Sequence, residues 1–172
     1  MEKNTELENW LRGPVPGVNR LLQPAAHAFL QSKEEASVYL KDFPIHLLWI
    51  TPAGRASLGF HLQHIAGVTD RLITYSQGME LTKEQFDQFR REGEPNNKIT
   101  PEQLLMNLEQ SIQNALEHLK NIEEDELLDT VEIGRKKIPS TRIGVLFHAA
   151  EHSQRHIGQM LVTISVLKEG LF

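Results

Sequence analysis

The sequence predicts an all-α fold, a four-helix bundle. Three observations carry this. Four segments of about 20 residues repeat apolar residues at spacings of three and four. No series of alternating strands separates them. The length of 172 residues suits one domain, in which helices with one apolar face each bury it best against one another. The whole chain, 1–172, is read as one domain, with the bundle core at about 12–168 and an N-terminal extension at 1–11.

In the first segment Pro14, Pro16 and Gly17 block a helix before about Val18, and Pro24 fits a first helical turn, where its missing N–H costs nothing. The helix runs to about Lys41. Ala25, Phe29, Leu30, Ala36, Val38 and Leu40 are available to a core, and Pro44 ends it. "PIHLLWITPAGRAS" reads as an irregular connection. Ser57 caps the second helix, whose Leu58, Leu62, Ile65, Thr69, Leu72 and Ile73 hold the helical period up to Gly78.

A short surface helix is expected at Thr82–Arg91, then a polar loop. Thr100, Pro101 and Gln103 form a strong start for the third long helix, whose stripe is Leu104, Leu105, Leu108, Ile112, Ala115, Leu116 and Leu119. A charged stretch follows, with a short extended piece around Val131 and Ile133. Ser140 or Thr141 opens the last helix, which runs to about Lys168 and offers Val145, Leu146, Ala149, Ala150, Met160, Leu161 and Ile164.

Hydrophobic residues at 40% and charged residues at 24% are an ordinary balance for a soluble domain. No apolar run reaches the roughly 18 residues of a membrane span, and the polar, acidic start "MEKNTELENW" lacks the character of a secretory signal. A cytoplasmic protein with no membrane partner is expected. A net charge of −5 argues against nucleic acid, because phosphate neutralisation needs a basic face. "GRKK" is too short to supply one and reads as a solvated loop. The chain has no cysteine, so any metal must be held by His, Asp, Glu or main-chain oxygen. No phosphate-cradling loop, nucleophile elbow or calcium loop is present; "EEDE" reads as a solvated turn.

Three of the eight histidines, His148, His152 and His156, recur at steps of four in "LFHAAEHSQRHIGQM". Residues so spaced share a helix face with β-carbons roughly 6 Å apart, so either neighbouring pair can aim one nitrogen each at a shared cation. A third ligand must come from another element, and "HLQHIAG" offers His61 and His64. Three neutral nitrogens leave a coordination position open, which is the arrangement of catalytic rather than structural zinc. Zinc or nickel is expected, and iron also suits such ligands. Glu151 lies about 100° around the helix from His152 and is not enlisted as a base. His118 is expected to be solvated, His27 and His46 have no spaced partner, Asp70 and Arg71 suit surface or inter-helix pairing, Gln159 can hydrogen-bond near the site, and Gly158 permits close helix approach.

The strings "GFHLQHIAGVTDRL" and "FHAAEHSQRHIGQM", with "GPVPGVNRLLQPAAHAFLQ" and "IPSTRIGVLFHAAEH", resemble the DinB/YfiT-like superfamily of metalloenzymes from about Arg12 to Ile164. The most specific part is "HSQRHIGQ", containing His152, His156 and Gln159. The resemblance implies up-down-down-up connectivity and a divalent metal held by one histidine of the second helix and two of the last. Carried over by motif these are His64, His152 and His156, with His61 the rival to His64 and His148 the rival on the last helix. It also implies a homodimer, and either thiol-S-transfer with a low-molecular-weight thiol or hydrolysis of a small-molecule substrate. The alternative from another class is a non-catalytic, metal-dependent or stress-linked binding protein.

Overall fold

The computed structural model describes residues 7–171. Most of the expected N-terminal extension, residues 1–6, lies outside that range. The described chain is mostly helical: α1 (Gln23–Tyr39), α2 (Leu58–Ser76), α3 (Lys83–Arg91), α4 (Pro101–Lys120) and α5 (Arg142–Lys168), with one antiparallel hairpin, β1 (Thr130–Ile133) and β2 (Ile138–Thr141). Helices α1 and α2 each pack against both α4 and α5, while α3 lies on α2. No helix among the described residues is long and apolar enough to cross a membrane.

Local chemistry accounts for the helix starts. The Ser57 side chain accepts from Phe60 N–H at the head of α2, and the Thr141 hydroxyl accepts from Gly144 N–H at the head of α5. Thr82 with Gln85 and Thr100 with Gln103 each form a reciprocal capping box, so α3 and α4 begin where two orphan donors are satisfied at once. The core these helices share includes Phe29, Leu62, Ile65, Leu108, Ile112, Leu146 and Ile157, all fully buried.

Three expectations change. Val38 is 69% exposed: two positions beyond the fully buried Ala36, it sits about 200° around α1 and faces away from the core. Leu161 is also exposed, at 39%, because the buried stripe of α5 runs through Ile157, Met160 and Ile164. The piece around Val131 is half of a hairpin whose second strand contains Pro139; its tip is "GRKK", with Gly134 and Lys137 both at positive φ.

Gly158 does not mediate helix approach. It is exposed on α5, and a β-carbon built there would meet no atom within 4 Å. Gly158→Ala is therefore expected to stabilise the protein by about 0.5–1 kcal/mol through backbone entropy alone, seen as a higher urea midpoint at unchanged slope.

Candidate metal centre

Two adjoining helices bring five imidazoles to one end of their interface. Helix α2 contributes His61 and His64 one turn apart; α5 contributes His148, His152 and His156 at successive turns. Helices α2 and α5 pack closely, with fully buried Ile65 on α2 and Ala149 and Ile157 on α5, and with Thr69 and Ser153 meeting hydroxyl to hydroxyl at 3.4 Å. The rings at the edge of this seam are consequently positioned by rigid elements rather than by loops.

His64, His152 and His156 each present a nitrogen within 4.8 Å of the other two, and none of the three is exposed. His64 Nε2 and His152 Nε2 are 3.0 Å apart. Two nitrogens bound to one tetrahedral zinc at about 2.0–2.1 Å would lie about 3.3 Å apart, so the spacing fits an ion with little movement. The rings of His64 and His152 lie 4.6 Å from that of His156, centroid to centroid.

Hydrogen bonds set the tautomers. His64 Nδ1–H donates to Glu92 Oε2 at 2.7 Å; a carboxylate only accepts, so the lone pair of His64 lies on Nε2, toward His152. Glu92 Oε1 accepts from Arg71 Nη1 at 2.6 Å, and the Arg71 guanidinium lies over the Phe89 ring at 4.7 Å. These charges are buried, their side chains only 6% and 9% exposed. Glu92 caps the C-terminus of α3, and the same helix is tied at its start, where Gln85 donates to Asp70 Oδ2 and Thr74 Oγ1 of α2, each at 2.7 Å. Phe60 stacks on the other face of His64, centroids 5.0 Å apart.

The other histidines separate by role. His61 is not in the converging trio: its Nδ1 sits 3.0 Å from His156 Nδ1, so His156 meets His61 through one ring nitrogen and has Nε2 left for another partner. His148 is exposed, and its Nδ1 lies 2.8 Å from Glu151, which also accepts twice from Arg155. With His152 it forms a second, more open group, His148–Glu151–His152. His118, expected in solvent, is half-buried at the far end of α2 between Ser76 Oγ at 3.0 Å and Gln77 Nε2 at 3.3 Å. His27 donates to Gly13 O and His46 is exposed; neither approaches the site.

Two residues of the site escaped the sequence reading. Glu92, inside a run of polar residues, carries no periodic signal, and Phe60 reads as one more apolar residue. Asp70 and Arg71 do serve inter-helix pairing, through Gln85 and Glu92 respectively.

Burial and neighbouring rings keep His61, His152 and His156 neutral. Desolvation first, and then His64, pushes His61 down to about 4 from 6.5 and His152 down to about 4. Desolvation, then His64, His152 and His61, pushes His156 to about 3. Neutral rings are what a metal requires. Their folded values lie below the unfolded 6.5, so above that pH both states hold neutral rings and nothing changes. As pH falls below 6.5 the unfolded chain takes up protons that the folded rings refuse. The chelated protein is therefore expected to lose thermal stability progressively from pH 6.5 toward 4, with a flat profile above pH 7, when its melting temperature is followed by circular dichroism.

His152 Nδ1 is one of two buried side-chain polar atoms without a partner among the described residues, the other being Arg142 Nε. With His64 Nε2 bearing a lone pair, the metal-free contact needs a proton on His152 Nε2, which leaves Nδ1 an unmatched acceptor. An ion held by these imidazoles would take up the Nε2 lone pairs in place of that contact, with the proton then on His152 Nδ1, a donor that still has no partner among the described residues. The donor set thus fits a divalent ion of borderline softness.

Gly67, one turn past His64, is where the Glu92–Arg71 pair crosses α2. A β-carbon there would overlap Glu92 Oε1 and lie 2.7 Å from Arg71 Nη1. Gly67→Ala is expected to push the carboxylate off His64 and lower metal affinity about 10-fold or more, measured by competition with a chromogenic chelator.

A family model described as the DinB superfamily matches residues 7–160. No curated protein matches the chain significantly. Solved structures of similar fold include a conserved protein from Enterococcus faecalis, 20% identical with a TM-score of 0.65, the match covering 85% of this chain and 96% of that one. Another is a protein from Streptococcus pneumoniae, 11% identical with a TM-score of 0.63, covering 88% and 91%. At these identities the likeness is one of fold.

Proposed function

Because this chain belongs to the DinB superfamily, we propose that it is a metal-dependent enzyme, a transferase or hydrolase acting on a small molecule, with His64, His152 and His156 as the ligands of one open site. One observation carries the reading: three imidazoles from two helices converge, two of them with facing Nε2 atoms 3.0 Å apart, and the far nitrogen of His64 is held by a buried carboxylate. The ring in which α1 and α2 each meet α4 and α5 is read as an up-down-down-up bundle forming one domain.

When bound, the ion would supply a Lewis acid that lowers the pKa of a coordinated water or thiol. The protein's own residues do the rest. Glu92 holds the His64 tautomer and raises its basicity as a ligand, and His61 does the same for His156 through Nδ1. Phe60 and the buried seam keep water from one side of the trio. Three ligands leave room for a nucleophile, water in a hydrolase or a low-molecular-weight thiol in a transferase.

The test is metal analysis by mass spectrometry on protein purified without a histidine tag, followed by thiol-transfer and ester-hydrolysis assays with and without chelator. The expected result is one equivalent of zinc or nickel and an activity that chelation removes. Absence of stoichiometric metal would sink the proposal. Metal without turnover on either panel would favour a non-catalytic metal-dependent binding protein.

A further inference from the structure

Beside the trio, where the head of α2 meets α5, lies a cavity of about 680 Å³, within the range of small-molecule sites. Its walls include Arg55, His61, Arg155, Gln159 and Thr163, and no carboxylate, in a protein whose net charge is −5. We propose that this cavity is a seat for the anionic group of the substrate, a carboxylate or similar oxyanion, held by Arg55, Arg155 and the outer edge of His61. The inference rests on the metal-centre reading and adds the substrate's charge class to it.

The chemistry follows from the wall. Ion pairs among the described residues engage Arg12, Arg20, Arg71, Arg90, Arg142 and Arg155 but not Arg55, Arg91 or Arg135, and of these three it is Arg55, exposed at the rim, that lines this cavity. Arg155 uses Nη2 for both Glu151 oxygens, at 2.7 and 2.8 Å, which leaves Nη1 to point elsewhere. A guanidinium with free N–H groups recognises planar oxyanions.

His61 links the cavity to the trio. If His156 offers its Nε2 lone pair to an ion, its Nδ1 carries the proton and donates to His61 Nδ1, 3.0 Å away. His61 then carries its own proton on Nε2, the nitrogen left for the cavity. The loaded centre thereby fixes a hydrogen-bond donor, not an acceptor, in the cavity wall. The Gln159 amide and Thr163 hydroxyl add neutral polar groups beside it. A ligand spanning both places would rest an anionic tail on the arginines and its reacting head at the ion.

The test separates head from tail. Zinc-loaded protein is titrated calorimetrically with the monohydroxamates of succinate and glutarate and with their methyl esters, which share the metal-seeking head and differ only in tail charge. The acid of better-fitting length is expected to bind at least about 10-fold more tightly than its ester, as a charge-assisted contact requires. Arg55→Ala should bring that ratio near one, Arg155→Ala should lower it, and Gly158→Phe, placed where a side chain meets only open space on the cavity wall, should block the acids while leaving zinc content unchanged.

Equal affinities of acid and ester in the unsubstituted protein, or a ratio that survives Arg55→Ala, would overturn the proposal. Protein freed of metal is titrated in parallel with succinate; weak binding lost in Arg55→Ala supports the seat, and binding indifferent to that change refutes it. Failure of the metal reading looks different: no zinc is taken up, the ester does not bind, and the acid keeps only the weak, Arg55-dependent binding of its tail.

Discussion

A His152→Ala chain is expected to lose at least about 100-fold in metal affinity while its metal-free form melts no lower than the parent. The first half follows from ligand count. The ring supplies one of three converging nitrogens, and removing it leaves only His64 and His156, one on each helix. Loss of a mere orienting partner already costs roughly 10–100-fold in metal sites, and loss of a ligand exceeds that. The second half follows from the unmatched Nδ1 atom. An unpartnered buried acceptor costs about 1–3 kcal/mol, and the substitution removes it together with a partly exposed ring, so the cavity term has an opposing gain. Mass spectrometry of metal content and thermal melts of chelated protein read the two halves independently. Retained stoichiometric metal in this variant would show that the ion is held elsewhere, with the His148–Glu151 edge the first place to look.

Glu92→Ala should have the largest effect on stability of any change at the site, about 3–5 kcal/mol by urea unfolding. It leaves the Arg71 guanidinium, 9% exposed, without its partner, and a buried unpaired charge is far more costly than the pair it came from. It also frees His64 Nδ1. Glu92→Gln separates the two consequences. The amide oxygen can still accept from His64 while the charge opposite Arg71 is gone, so metal affinity should recover more than stability does. If both substitutions cost less than about 1 kcal/mol, the pair is solvated in solution and the account of His64 orientation fails with it.

Helix positions were legible because their signals are local. Ser57, Thr100 with Pro101 and Gln103, and Thr141 announce starts that the structure keeps, and the stripe from Leu104 to Leu119 declares its own buried face. Errors arose where one residue satisfies two patterns. Val38 and Leu161 fit an apolar count but not the angle of the buried stripe. The second hairpin strand was hidden by Pro139 and by hydroxyl residues that double as cap signals. At the site, the step of four on α5 and the pair on α2 marked the helices that supply rings. Which ring does what was not legible, because it depends on the second nitrogen of each imidazole. His61 and His64 differ by less than one turn, yet one meets another histidine and the other a carboxylate brought from 28 residues away. That kind of partner leaves no period in a sequence.

The shortest α-helix of the fold has a leverage its nine residues do not suggest. Because Gln85 fastens its front to Asp70 and Thr74 and Glu92 fastens its rear to His64 and Arg71, it acts as a buckle across α2. Whenever the buckle lifts, the imidazole beneath it loses its grip on a fixed orientation. On the proposed reading, exchange of an ion with solvent would be coupled to a small, local opening at the surface and would leave the core undisturbed.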